Sequence, residues 1–195
     1  MTSAYKDVVM IGGPNGAGKT TTAMTMLRKE LRIQEFVNAD EIARGLSPSN
    51  PEGRARAAGR LMIKRIHELI SRGESFAFET TCSGRVHAQT LLRCREAGYR
   101  LTLIFLWLSS AKEALSRVAR RVAQGGHAVP NGVVVRRYAA GLKNLERLYL
   151  PIADIAYIYD NTDEGGILIA ERQPGQTLVV CDDRRWRQIL EANRD

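Results

Sequence analysis

The sequence has no run of ~18 uninterrupted apolar residues, so no segment reads as a transmembrane helix. Its first residues, Met1-Thr2-Ser3-Ala4-Tyr5-Lys6-Asp7, lack the charged start and apolar middle of a secretory signal, and a cytoplasmic protein is the expectation. Cysteine is scarce. Cys82, Cys94 and Cys181 are widely spaced, with no Cys-x-x-Cys pair and no zinc-type Cys/His spacing, so they read as reduced thiols. Aromatic residues make up 6% of the chain, too few for a base-stacking platform. There is no Asn-Lys-x-Asp motif and no strand ending Asp-x-x-Gly, which argues against a switch GTPase. The most apolar strand ends in Ser109 rather than in an acid, so the signature of a motor-type ATPase is missing too. No repeat, linker or low-complexity stretch divides the 195 residues, and a single domain, 1–195, is expected.

Positive charge is what the chain has in excess. Lys and Arg number 29 against 21 Asp and Glu, a formal net charge of +8. The excess is mostly arginine on expected helices. No RNA- or DNA-binding motif accompanies it, so an arginine-rich surface around an anion pocket is the favoured reading. Neither a membrane nor a nucleic acid is the expected partner.

That pocket has a sequence signature. Gly13-Pro14-Asn15-Gly16-Ala17-Gly18-Lys19-Thr20 fits G-x-x-x-x-G-K-[ST], the phosphate-binding P-loop. The β-rich run Asp7 to Ile11 precedes it. Thr21 to Leu31 follows, with Met24, Leu27 and Leu31 at helical spacing, so the motif lies between a strand and a helix. Glycines let backbone N–H groups approach phosphate oxygens, and the helix N-terminus adds partial positive charge. The nucleotide site is therefore expected at Gly13, Pro14, Asn15, Gly16, Ala17, Gly18, Lys19, Thr20 and Thr21. Lys19 would reach the β- and γ-phosphates of ATP, and the Thr20 hydroxyl would ligate Mg²⁺.

Strands and helices alternate along the rest of the chain. This predicts an α/β fold of three layers: a mainly parallel sheet with helices on both faces, of P-loop kinase type. Expected strands are 6–11, Phe36 to Asp40, Ser75 to Glu79, Leu101 to Leu108 and Ile155 to Tyr159. The second ends at or just before Asp40, and the fourth is central because it is the most apolar. Gly45 to Asn50 reads as a loop. Asn50-Pro51-Glu52 reads as a helix start, with an apolar stripe of Ala55, Ala58, Met62, Ile66 and Leu69 and a stop at Gly73. His67 on this helix reads as a surface residue. A further helix spans about Arg85 to Ala97. Ser110 to Glu113 is a capping box for a helix burying Leu115, Val118 and Val122. Gly125 to Asn131 breaks it. The next helix runs from about Gly132 to Tyr149, with Val134, Tyr138, Leu142 and Leu145 in register. Pro174-Gly175 marks the turn of an antiparallel C-terminal edge hairpin, Gly166–Glu171 with Thr177–Cys181, and a short helix at about 184–193 ends the chain.

Two acids, Asp40 and Glu79, sit at ends of expected strands, on the side of the sheet where the P-loop lies. An arginine-bearing helix, a Gly-Gly break and a second arginine-bearing helix form the layout of a lid, about 117–137. Phosphoryl transfer needs this set: a carboxylate for the acceptor hydroxyl and arginines for the developing charge.

Taken together, Gly13 to Thr21, Asn38-Ala39-Asp40, Phe78-Glu79-Thr80-Thr81, Gly98-Tyr99-Arg100, Arg121 to Pro130, Arg136-Arg137-Tyr138 and Tyr159-Asp160-Asn161 resemble the zeta-toxin family of P-loop kinases, over about residues 8 to 161. The resemblance implies ATP and Mg²⁺ as cofactors and a small-molecule hydroxyl as acceptor, specifically the 3′-hydroxyl of UDP-N-acetylglucosamine. It also implies an antitoxin protein as partner. By position it makes Asp40 the base, Lys19 the phosphate lysine, Glu79 and Thr80 part of the substrate side, and Arg121 with Arg136 or Arg137 the lid arginines. The chain is shorter than the family's toxins, and its lid carries Gly125-Gly126-His127. A kinase for another sugar, nucleoside or antibiotic hydroxyl, or a toxin-like protein acting mainly through an antitoxin complex, is the alternative.

Each residue also has a plainer role. Asp40 could cap a helix at Glu41-Ile42-Ala43. Glu79 could cap the following helix or hold Mg²⁺ through water. Helical periodicity does not decide between Arg136 and Arg137. His127 could contact phosphate or its own turn. Asp160-Asn161-Thr162 could present backbone groups to an adenine edge or be a plain turn. Cys82, at an expected helix start, would have a lowered pKa there, but is read as structural.

Overall fold

The computed structural model describes residues 6–26, 33–49, 52–126, 128–163 and 165–192. Seven strands form one sheet in the order β2-β3-β1-β4-β5-β6-β7. They are β1 (Lys6–Gly12), β2 (Glu35–Val37), β3 (Phe76–Thr80), β4 (Tyr99–Trp107), β5 (Ile155–Asp160), β6 (Ile167–Arg172) and β7 (Val179–Val180). The first five pair in parallel, and β6 and β7 add antiparallel at one edge. Among the described residues seven α-helices accompany them: α1 (Lys19–Met26), α2 (Ala39–Leu46), α3 (Ala55–Arg72), α4 (Val86–Glu96), α5 (Ala111–Ala123), α6 (Asn131–Asn144) and, after the last strand, α7 (Asp183–Glu191).

Consecutive residues of a strand point to opposite faces. Val8, Val9, Met10 and Ile11 of β1 are all buried, so both faces of the sheet are covered at that strand. β4 is the middle strand of the seven, as its apolar content predicts. The α/β architecture, the parallel core and the C-terminal antiparallel edge all follow the expectation.

Local departures have local causes. The second strand ends at Val37 because Asn38 caps a helix there: its side chain accepts from the amides of Asp40, at 2.7 Å, and Glu41, at 3.3 Å. Helix α2 thus occupies positions expected to be strand end and loop. Residues Asn50 and Pro51, expected as a helix start, lie outside the described residues, and α3 begins at Ala55 after a 3₁₀ turn, Glu52–Arg54. In α3, Ala58, Met62, Ile66 and Leu69 are buried and Ala55 is exposed. Gly73 closes α3 in the left-handed region at φ 67, where its amide bonds Ile70 and that of Glu74 bonds Leu69. Met24 of α1 is exposed; Leu27 and Leu31, expected to continue that helix, lie outside the described residues. In α5 the buried residues are Ala114 and Val118. Leu115 is half-buried and Val122 is exposed. The expected single helix to Tyr149 changes pitch: α6 ends at Asn144, and Leu145–Tyr149 is one wider π turn. Val134, Tyr138, Leu142 and Leu145 are nonetheless all buried. His67 is exposed, near Arg93.

Three contacts from α6 and the π turn fix the loop after β3. Asn144 donates to the Cys82 carbonyl at 2.8 Å, Tyr149 donates to that of Gly84 at 2.6 Å, and Gly141 lets the backbone pass close to the Thr81 carbonyl. Among the described residues no helix is long and apolar enough to cross a membrane.

Candidate active site

The P-loop leaves the C-terminal end of β1 and runs into α1. Gly13 has φ 142, and a Cβ there would lie 2.3 Å from the Leu106 carbonyl of β4, so the loop lies directly on the central strand. At Gly16, φ 80, a Cβ would meet the Arg117 Cβ at 2.8 Å. Helix α5 therefore rests on the loop. Lys19 is buried and donates to the Pro14 carbonyl at 2.8 Å, bridging the loop from within. Burial pushes its ammonium pKa down, while the nearby Glu79 and Asp40 carboxylates oppose that shift.

The two acids reach the same place by different routes. Glu79 is the penultimate residue of β3, beside the P-loop, and the Thr20 hydroxyl donates to its carboxylate at 2.8 Å. Burial raises the Glu79 pKa; Lys19 and Thr20 counter this, and Asp40 adds to it. Asp40 stands in the first turn of α2, held at its backbone by Asn38, with an exposed side chain lining the cleft. The cap is Asn38, which leaves the Asp40 carboxylate out of that role. Thr80 accepts from the Cys82 amide at 3.1 Å and also lines the cleft.

Arginines form the opposite wall. Arg117 and Arg121, one turn apart on α5, line the cleft, as does Arg137 of α6. Burial lowers the Arg137 pKa, and the Asp40 charge works against that. Arg136 is exposed and is not among the lining residues, because α6 packs with the Arg137 face toward the cleft. Arg120 is exposed and reaches Glu113. Arg117 is pinned twice, by Glu113 at 2.8 Å and by the Thr162 carbonyl. The Gly125-Gly126 turn ends α5, with the Gly126 amide on the Arg121 carbonyl at 2.9 Å. His127 lies outside the described residues.

Two parts of the site go beyond what the motifs signal. The Asp160-Asn161-Thr162 turn braces the P-loop: Asn161 donates to the Ala17 carbonyl at 2.7 Å. Asp160 accepts from the Thr162 amide at 2.9 Å and from Arg185 of α7 at 2.7 Å. Burial works against the Asp160 charge, yet these hydrogen bonds hold its carboxyl below the ordinary value. The other part is α3, whose Arg56, Gly59, Arg60, Met62 and Ile63 line the far side of the cleft with Val86 and His87 of α4. The whole cleft measures about 910 Å³. Cys82 lies beneath the P-loop rather than at a helix start. Burial pushes its thiol up to about 12, the reverse of the expected lowering.

These residues fit a nucleotide with its divalent cation. The glycine turns seat the loop against β4 and α5 at positive φ, and Thr20 and Glu79 bring two oxygens together. Mg²⁺ takes oxygen ligands, keeps several waters and leans on phosphates, so a protein cage of three or more ligands is not required. None is found among the described residues.

Comparison with known proteins agrees with this architecture. The family described as AAA domain matches residues 8–147. An uncharacterized protein of Haemophilus influenzae is 30% identical over 126 residues, covering 65% of this chain and 88% of that protein. Among solved structures, the AvrRxo1-ORF1:AvrRxo1-ORF2 complex with sulphate ions matches at TM-score 0.77 and its complex with ATP at 0.75, both at 17% identity over 96% of this chain. This chain spans 64% of the length of that neighbour. The PezAT toxin–antitoxin system of Streptococcus pneumoniae matches at TM-score 0.66 and 14% identity, covering 100% of this chain and 86% of the other. At these identities the structural likeness shows a shared P-loop kinase-like fold.

Proposed function

The chain belongs to the AAA domain family, and on that footing we propose that it is an ATP-dependent kinase that transfers the γ-phosphate to a small-molecule hydroxyl. One observation carries the reading. A single cleft gathers the P-loop residues Lys19 and Thr20, the carboxylates of Asp40 and Glu79, and three arginines from the α5 and α6 wall. The neighbour solved with ATP supports the choice of nucleotide.

In this reading the P-loop amides and Lys19 hold the phosphates in line. Thr20 and Glu79 would hold Mg²⁺, which neutralises phosphate charge when bound. The Asp40 carboxylate is exposed to the cleft and uncommitted to its helix cap, so it takes the acceptor's proton. Arg121 and Arg137 stabilise the charge that develops on the transferring group, with α5 and α6 acting as the lid; Arg117 joins them from its fixed seat on Glu113 and Thr162. Thr80 lies on the acceptor side with Glu79.

The resemblance to zeta toxins makes UDP-N-acetylglucosamine the first acceptor to test and a small antitoxin a partner to look for. The AvrRxo1-ORF1:AvrRxo1-ORF2 complex and the PezAT toxin–antitoxin system, both similar in fold, support the second point. The deciding experiment offers Mg·ATP with UDP-N-acetylglucosamine, free sugars, nucleosides and aminoglycosides, and reads by mass spectrometry the gain of one phosphoryl group. A product with any hydroxyl acceptor, absent with Lys19→Ala, supports the kinase. ATP consumption that ignores every acceptor overturns it.

A further inference from the structure

Helix α3 contains a glycine with no local reason to be one. Gly59 lies in the interior of an 18-residue helix, where glycine is the least favourable residue short of proline. Its φ is not left-handed, and a Cβ built on it meets no atom within 4 Å. No packing partner excludes a side chain there. What the missing side chain leaves open is the cleft, because Gly59 is one of its lining residues.

The neighbours of that gap are charged. Arg56 and Arg60 are one turn apart, line the cleft and are exposed, and among the described residues neither is in an ion pair. Like charges at i, i+4 repel each other on a helix face. An anion seated between them over Gly59 would remove that repulsion and accept charge-assisted hydrogen bonds from both guanidiniums. Met62 and Ile63 give the same wall an apolar floor. The acids of the cleft, Asp40 and Glu79, lie with Lys19 at the phosphate-transfer end.

We propose that this face of α3 is the acceptor subsite, and that it selects a small acceptor whose hydroxyl faces Asp40 and whose own phosphate or carboxylate lies between Arg56 and Arg60 over Gly59. The proposal rests on the kinase reading for the transfer step: the acceptor oxygen bonds the γ-phosphorus, the bond to the β-bridging oxygen breaks, ADP leaves, and the acceptor's proton passes to Asp40.

The test uses matched pairs that differ by one anionic group: glycerol and glycerol 3-phosphate, ribose and ribose 5-phosphate, N-acetylglucosamine and N-acetylglucosamine 1-phosphate. A 5′-hydroxyl oligonucleotide forms a separate arm. Each is offered with Mg·ATP, and binding is measured in parallel by calorimetry with a non-hydrolysable ATP analogue. At least one charged member should be used with kcat/KM ~10-fold or more above its neutral partner, and Arg60→Gln should remove most of that preference while leaving the KM for ATP unchanged. Gly59→Leu should raise the acceptor KM by ~10-fold or more. Gly59→Ala and Gly59→Leu should melt at or above the wild-type temperature, since both strengthen the helix. Neutral members preferred, or a charge preference untouched in Arg60→Gln, overturns the subsite and leaves the kinase reading standing. So does a Gly59→Leu variant that is destabilised, because the open space would then be absent. Preferential phosphorylation of the oligonucleotide overturns the small-acceptor class. Calorimetric binding of a charged member, lost in Arg60→Gln but without turnover, supports the subsite and counts against the kinase.

Discussion

The Thr20 hydroxyl hydrogen-bonds the Glu79 carboxylate at 2.8 Å, joining the first turn of α1 to the end of β3. That bond puts a neutral donor and a half-buried acid on the same spot, beside the buried Lys19. Lys19 lies among carboxylates it helps to keep ionised, and it spans the loop that would receive phosphate.

Lys19→Ala should therefore abolish phosphoryl transfer while far-UV circular dichroism stays that of the wild type, because the side chain contacts its own loop rather than the apolar core. Near wild-type turnover in this variant would remove the P-loop from the mechanism.

Asp40→Asn keeps size and hydrogen bonding and takes away the basic oxygen. Mg·ATP should bind with unchanged affinity, while transfer to the acceptor falls by at least ~10²-fold. Both quantities are to be measured on one preparation. Joint loss of ATP binding would make Asp40 a metal-shell or structural residue and shift the search for the base to Glu79.

The α5 arginines differ in place. Arg117 is held by Glu113 and the Thr162 carbonyl, and Arg121 lies in the last turn of α5 and lines the cleft. Arg121→Ala should lower kcat far more than it raises the KM for ATP, and a cis arginine of this kind is worth ~10³-fold or more. Unchanged kcat with weaker ATP binding would make Arg121 a ground-state contact.

His87 gives the fold a pH dependence. Its ring lies tilted against that of Phe78 at 5.2 Å between centroids, its Nδ1 is buried without a hydrogen bond, and burial pulls its pKa from 6.5 down to about 4. The folded state keeps the ring neutral, while the unfolded chain takes up a proton below its ordinary value. The associated stability is complete above pH 6.5 and is lost as pH falls toward 4, by up to ~3 kcal/mol. Urea unfolding at stepped pH should show this slope, and His87→Phe should flatten it. Equal slopes in the two proteins would mean that the ring is solvated.

The parts of this site that sequence makes legible are those carried by local pattern. The P-loop shows itself through glycine spacing between an apolar strand and a helix, and the strand–helix alternation carries the sheet with it. Helix α2 is less visible: it is eight residues long, and its start depends on the Asn38 side chain folding onto two amides. Periodicity puts Arg136 and Arg137 on neighbouring faces but does not say which face α6 turns toward the cleft; packing decides for Arg137. Contacts such as Asn161 to Ala17, 144 residues apart, have no local signature at all.

Removing that last contact should be felt by the nucleotide. Asn161→Ala should weaken ATP binding by ~5- to 10-fold, about the worth of one part-buried hydrogen bond, with little effect on thermal stability. Unaltered ATP affinity would make the contact a passive one.

The chain from Arg185 to Asp160 to Asn161 also bears on the order in which the protein is completed. Residues 13 to 20 are made early, but the turn that braces them is held by an arginine near the far end of the sequence. During synthesis every parallel strand can be paired before Arg185 has left the ribosome. The turn that braces the phosphate loop therefore gains its arginine anchor only when α7 docks, after the five parallel strands are in place.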